Sequence, residues 1–416
     1  MSGWKKAYLG DYIEVNPDSI KKDYPFQEID YVDISSVGSG EIRETTIYNL
    51  DDAPSRAKRL VKRGDTIIST VRPRRRSFFH FKKVKQNHVV STGFAVLRAK
   101  KNINPRYLYY VISNQRFTNY LVSREKGAAY PAISTSDIKE AEIRLPELEI
   151  QEKIATILGC IDDKIELNIK MNQTLEEMAM TLYKHWFTDF GPFQEGEFVE
   201  TELGVIPRGW EVSQLAEYCE VITDGAHASP KEYLESDKVI ATVKDMGSYS
   251  IDIDSCKHIS DGDFEKLVKG NCQPLKGDVL LSKDGTMGKV LYMWDKPENL
   301  VTLSSIAILR PKYSDAYLYL YLRNPSNMNM IINGYASGSA LNRLVLKSIK
   351  QIRILLPSEN TLKEFDSKVK PLIDKIGENE KEIFLLKETR DYLLPKLISG
   401  EIDLSKAEET VENVMR

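Results

Sequence analysis

The sequence predicts an α+β protein: two similar mixed α/β domains joined by two long antiparallel coiled-coil helices, with an internal pseudo-twofold repeat. Three observations predict it. The chain repeats itself at an offset of 211 residues, as from Pro146 to Pro357. Each copy carries short β-rich runs and a tyrosine-rich helical stretch, and each copy closes in apolar heptads.

The repeat is clearest around its closing Leu-Pro. The stretch from Ala129 to Pro146 ends in Ile138-Lys139-Glu140-Ala141-Glu142-Ile143-Arg144-Leu145-Pro146, and that from Ala340 to Pro357 in Ile349-Lys350-Gln351-Ile352-Arg353-Ile354-Leu355-Leu356-Pro357. At the same offset Asp163-Lys164-Ile165 and Asn168 meet Asp374-Lys375-Ile376 and Asn379. With small slips, Lys62-Arg63-Gly64-Asp65 answers Leu275-Lys276-Gly277-Asp278, and Tyr107-Leu108-Tyr109 answers Tyr317-Leu318-Tyr319. Two similar domains related by a pseudo-twofold follow, the single-chain counterpart of a symmetric dimer.

Within each copy, Thr66-Ile67-Ile68-Ser69 and Asp278-Val279-Leu280-Leu281 follow Gly-Asp turns and read as strands; helices follow Asn104-Pro105 and Ser314-Asp315. The tyrosines of those helices could stack on bases, but their spacing beside Leu108, Val111, Leu318 and Leu320 suits a packed face, and we assign them to the core.

From Ile150 onward apolar residues recur every seven, at Ile154, Ile161, Leu175 and Leu182 and at Leu158, Ile165, Ala179 and Trp186. The second copy repeats the seam with Phe365, Leu372, Asn379, Leu386 and Leu393 beside Val369, Ile376 and Ile383. Asn168 and Asn172 are polar seam members of the kind that fixes register at some cost in stability. The first helix is expected to stop near Gly191-Pro192; Pro371 should kink the second or mark its start. The resulting division is a first domain over 1–146, a helix over 147–190, a linker over 191–208, a second domain over 209–357, a second helix over 358–400 and an acidic tail over 401–416.

Composition bounds the function. Hydrophobic content of 42% and charged content of 29% over 416 residues are those of a globular chain with room for roughly two to four cores. No run approaches the ~18 apolar residues of a bilayer span, and Met1 to Asp11 lacks a signal peptide's apolar core, so the cytoplasm is the expected address and no membrane the expected partner. Cys160, Cys219, Cys256 and Cys272 form no CxxC pair and read as reduced thiols. The net charge of -3 offers no global field for nucleic acid, so any such surface is local. One segment, Pro54 to Gln86, is strongly basic and holds a single acid, Asp65.

Familiar chemistry is missing. Asn16-Pro17, Asn104-Pro105 and Asn324-Pro325 lack the second proline and aromatic of an adenine methyltransferase motif. Gly285-Thr286-Met287-Gly288-Lys289 is too short for a phosphate loop and reads as a turn. Asp162-Asp163-Lys164 has the residue types of a nuclease triplet but lies on the coiled-coil helix, where paired charges solvate the surface. The five histidines show no ligand spacing.

Leu145-Pro146-Glu147-Leu148-Glu149-Ile150-Gln151-Glu152-Lys153-Ile154-Ala155, with Asp163-Lys164-Ile165, resembles the central region of type I restriction-modification specificity subunits. So do Trp186-Phe187-Thr188-Asp189-Phe190, Glu202-Leu203-Gly204-Val205-Ile206-Pro207-Arg208-Gly209-Trp210 and Leu394-Pro395-Lys396-Leu397-Ile398-Ser399-Gly400-Glu401; Thr223-Asp224-Gly225-Ala226-His227 and Lys283 to Lys289 resemble segments of the family's target-recognition domains. The resemblance implies two target-recognition domains reading half-sites of double-stranded DNA, helices that dock two modification (methyltransferase) subunits, and restriction (translocase/nuclease) subunits that join them. S-adenosylmethionine, ATP and Mg would then belong to the partners, with no cofactor in this chain. In the second helix Thr361-Leu362-Lys363 departs from Ile150-Gln151-Glu152.

The leading DNA contacts are Arg72, Arg74, Arg75 and Arg76, with Lys82 and Lys83 nearby; in the second domain they are Lys244, Lys283, Lys289 and Arg343. Helix pairing and partner docking fall to Ile154, Ile161, Ile165, Asn168, Leu175, Leu182, Trp186, Phe365, Ile376, Asn379 and Leu386. A coiled-coil scaffold without sequence preference and a stand-alone restriction enzyme are the competing readings.

Overall fold

The computed structural model describes residues 4–127, 130–337 and 343–415. Ala129 and Ala340, at the head of the repeat's closing stretches, lie outside them. The chain forms two compact units, residues 1–166 with 384–416 and residues 167–383.

In the first unit, four antiparallel strands lie in the order Ile13–Val15, Phe94–Ala99, Thr66–Ser69, Phe78–His80. A second sheet orders Thr46–Asn49, Glu28–Val32, His88–Ser91 and Ala57–Leu60, with a parallel central pair. Lys5–Tyr8 pairs with Glu142–Leu145 and so closes the domain with its first and last strands. Val32, Ile67, Phe81, Val90, Phe94 and Val96 fill the space between the sheets.

The second unit repeats the plan. Cys219–Asp224, Ile306–Pro311, Val279–Ser282 and Val290–Tyr292 form one sheet; Lys257–His258, Val239–Ala241 and Leu300–Thr302 form another, again with a parallel pair; Glu211–Gln214 closes on Arg353–Leu356. The repeated Gly-Asp motif has a physical cause. Asp65, buried, accepts a bidentate pair from Arg98 at 2.9 and 2.7 Å and the Lys62 N–H at 2.7 Å. Asp278 does the same with Arg310, at 2.8 Å twice, and the Leu275 N–H at 2.7 Å. Each carboxylate thus ties the turn to the central strand of its sheet with charge-assisted bonds. The tyrosines are core residues as read: Tyr107 and Tyr317 are fully buried, and their hydroxyls donate to the Arg144 and Leu355 carbonyls of the closing strands.

Leu148–Phe187 and Glu359–Ser399 are the two long helices, here called central and distal. Each contributes a stretch to both units, and within each unit the two run antiparallel: Asp162 meets Arg390 in the first, while Asn172 meets Asn379 and Trp186 meets Phe365 in the second. Of the two outcomes expected at Pro371 a start is excluded, and the stop expected near Gly191-Pro192 comes a few residues earlier. The distal helix begins at Glu359 and continues through Pro371, so that proline is not its start. The central helix ends at Phe187, where the Lys184 carbonyl accepts the N–H groups of Thr188 and Asp189, and Phe190 rather than Gly191 takes the left-handed conformation. The linker contains a hairpin, Phe198–Thr201 against Gly204–Pro207, and the residues read as an acidic tail form a helix, Leu404–Met415, with Ala407 and Val411 buried.

The departure at Leu362 also has a physical sense. Gln151, buried, donates to the Pro146 carbonyl and accepts the Asn104 N–H, whereas Leu362 joins the apolar core of the second unit.

Each domain is keyed to its helices by polar side chains. In the first unit Arg106 donates to the Gly159 carbonyl and bidentately to Asp163, at 2.7 to 2.9 Å, while Lys82 reaches Asp163 and Glu166. Tyr110 and Arg390 both donate to Asp162. The acid pair read as solvating the helix surface is therefore a docking site; its partners lie some fifty to two hundred residues away, beyond the reach of local patterning. In the second unit the Trp294 indole donates to the Ile373 carbonyl at 2.8 Å and lies over Gly377, where a Cβ would approach it to 2.4 Å.

Candidate nucleic-acid interface

The arginine cluster sits in the hairpin between Thr66–Ser69 and Phe78–His80. Ser69 Oγ donates to the Val71 carbonyl, Thr70 is held to Gly93, and the Arg72 N–H bonds the Pro131 carbonyl at 2.7 Å. Pro73 to Arg75 then form one 3-10 turn, closed by the Arg76 N–H on the Pro73 carbonyl. Arg72 and Arg76, on either side, both adopt left-handed φ values, 50° and 52°, which non-glycine residues take only where the surroundings over-determine them.

The four guanidiniums have different fates. Arg76 donates to Gln115 at 2.6 Å and to the Ser113 carbonyl at 2.7 Å, fastening the loop to the helices beneath. Arg74 is exposed and 3.7 Å from Glu125. Arg75 is exposed, and among the described residues no carboxylate pairs with it. Arg72 lies over the Tyr130 ring, 4.5 Å from its centroid. Lys82 is committed to the central helix, while Lys83 is exposed.

The equivalent hairpin of the second unit spans Lys283 to Lys289 and uses the same frame. Ser282 Oγ donates to the Thr286 carbonyl, the Lys283 N–H bonds the Ser305 carbonyl, and the Leu344 N–H bonds the Lys283 carbonyl, as Ile133 bonds Thr70 in the first. It is a turn with two positive-φ glycines, Gly285 and Gly288. Its cations differ from expectation. Lys283 is buried and paired with Asp224 at 3.2 Å, and the Lys289 ammonium donates to the Val243 and Met246 carbonyls. Both hold loops together; Lys244 and Arg343 are exposed. The two hairpins thus share a backbone and differ in charge.

Residues missed in the sequence lie in the segment after the short helix Gln115–Ser123 of the first domain. Lys126 and Ala132 exchange backbone bonds, Val71 bridges to Ala132, and the turn carries exposed Arg124, Lys126 and Tyr130 beside the arginine hairpin. Nothing local in the sequence said which loop this segment meets.

The seam residues are spent on helix pairing. Ile154, Ile161, Ile165 and Leu386 are buried in the first unit, as are Asn168, Trp186, Phe365, Ile376 and Asn379 in the second, with Leu175 and Leu182 half-buried there. Among the described residues no group of three or more His, Cys, Asp or Glu is placed to hold a metal ion, and no helix is long and apolar enough to cross a membrane.

The model of the type I restriction modification DNA specificity domain matches this chain twice, over residues 1–177 and 207–385. The chain belongs to that family. The two matches fall on the two copies of the repeat. The specificity subunit of the type I restriction enzyme HindI of Haemophilus influenzae is 27% identical, over 97% of this chain and all of that one. The MjaIX specificity subunit of Methanocaldococcus jannaschii is 32% identical, over 74% and 72%. Among solved structures, a type I restriction-modification S subunit from M. genitalium covers 95% of this chain and 96% of its own with a TM-score of 0.54 and 16% identity, which establishes likeness of fold. This specificity subunit is therefore a sequence-specific DNA-recognition chain, not a general scaffold, and its two domains are DNA specificity domains.

Proposed function

We propose that each domain reads one half of a bipartite DNA target, that the two long helices set the spacing and dock two modification subunits, and that the chain has no catalytic site or cofactor of its own. S-adenosylmethionine, ATP and Mg belong in this reading to the modification and restriction subunits, and the complex works in the cytoplasm. The observation that carries it is the repeated frame with unlike loops: one hairpin presents arginines, the other turns on two glycines with Lys283 and Lys289 drawn inward, and each is closed by the N–H of its serine, Ser69 or Ser282, across the hairpin. Two readers of one architecture and different chemistry recognise different bases. Because the seam side chains are buried between helices, the modification subunits have the outer helix faces to dock on, where Phe384, Leu385 and Tyr392 in the first unit and Leu167 and Met178 in the second are exposed.

Methylation mapping of the complex assembled with its modification subunits tests this. Two unlike half-sites with an unspecified gap are the expected result. A palindrome or one contiguous site contradicts it, as does cutting or methylation of DNA by the chain alone.

A further inference from the structure

A cluster of four arginines suggests a phosphate-binding patch in which all four act alike. The geometry separates them. Arg76 is a structural fastener, and Arg74 and Arg75 are exposed on the turn. Arg72 is neither: its side chain is half-buried, its backbone is pinned in a left-handed conformation by Pro131, and its guanidinium rests on Tyr130. Among the described residues no carboxylate pairs with it and no acceptor takes its side-chain N–H groups. A guanidinium held against a ring keeps its donors free, because they lie in its own plane at the rim. Strain at φ 50° combined with an uncommitted, pre-oriented fork is a costly arrangement for a group that only neutralises phosphate. It suits bidentate recognition, which depends on a fixed plane and which guanine offers through O6 and N7.

We propose that Arg72 is the base-reading residue of the first recognition domain, donating two hydrogen bonds to a guanine in the major groove, with Tyr130 as its platform and Arg74 and Arg75 on the flanking phosphates. The inference rests on the reading of the first domain as one half-site reader and adds a base to it. Among the described residues the equivalent loop of the second domain offers no counterpart: Lys283, at its start, is buried in an ion pair.

The test compares the full chain, assembled with its modification subunits, with Arg72→Lys, Tyr130→Ala and Arg75→Ala variants by selection from a randomised duplex library and by binding at graded salt. The wild type should recover a guanine in the first domain's half-site. Arg72→Lys keeps the charge and loses the fork, so preference for that guanine should fall about 10- to 100-fold while every other position and the salt slope hold. Tyr130→Ala should move the same way by less. Arg75→Ala should weaken all targets alike and flatten the salt slope by about one. If Arg72→Lys keeps every base preference, or if it behaves as Arg75→Ala does, Arg72 is a phosphate contact and the proposal fails while bipartite reading stands. If the wild type selects no bipartite target, both fall together.

Discussion

His80 shows what burial in the first unit costs a titratable group. Burial, then the charges of Arg106 and Lys82, lower its pKa from 6.5 to about 4, and Thr66 Oγ1 lies 3.1 Å from its Nδ1. The folded ring is neutral where the unfolded one begins to take a proton. Stability is therefore complete above the unfolded value of 6.5, declines as pH falls, and has lost this contribution once pH passes about 4. Over the window from pH 7.5 to 5.0 the loss should be about 2 kcal/mol from this residue. His88, lowered by burial against the pull of Asp30, acts in the same direction. His80→Gln, which retains an acceptor for Thr66, should lose that much less than wild type between the two pH values in denaturant melts. Equal losses would show that His80 is not a source of acid sensitivity. None of this is visible in the sequence, where His80 follows Phe79 in a basic stretch; the charge that surrounds it is assembled by Lys82 and Arg106 from different elements.

At the scale of elements, the seam was legible because heptad spacing is a local property, and the positions it marked are buried or half-buried. The polar partners of the seam were not legible. Asn168 aligns with Asn379 in the repeat, yet Asn379 Nδ2 donates to Asn172 Oδ1 at 2.8 Å, while Asn168 bonds Glu382. Repeat alignment matches positions in two copies; antiparallel pairing matches positions that face each other, and the two need not coincide. Because both asparagines are fully enclosed, Asn379→Leu should destabilise the second unit by about 1–3 kcal/mol by leaving the Asn172 acceptor without a donor. The Asn172→Leu, Asn379→Leu double variant should recover part of that loss in thermal melts, since an apolar pair replaces both partners while Glu380 loses only the bond it accepts from Asn172. If single and double variants melt alike, the bond does not stabilise the pairing. Lys283 and Lys289 illustrate the same limit, since loop lysines that look exposed in the sequence are drawn inward by Asp224 and by carbonyls of Val243 and Met246.

For the whole molecule, the duplication could be read from spaced motifs such as Gly64-Asp65 and Gly277-Asp278, whose role is to hold Arg98 and Arg310. The spacing role of the helices is testable at the points where each passes from one unit to the other, Glu166 to Leu167 and Ile383 to Phe384. A heptad inserted at both points keeps the seam in phase and interrupts no contact within either unit. Seven residues add ~10 Å of helix, or up to about three base pairs of gap at ~3.4 Å each. Methylation mapping of the assembled variant should return both original half-sites with a wider gap. An active variant with the original gap would remove the helices as the measure. The division of the chain has one more consequence, for synthesis. Residues 167–383 form a unit from one continuous stretch, but the first unit needs 384–416, which are translated only after that whole stretch. Until then Asp162 has no Arg390 and Arg144 no Ser399 carbonyl to bond, so of the two units the one begun earlier is completed later.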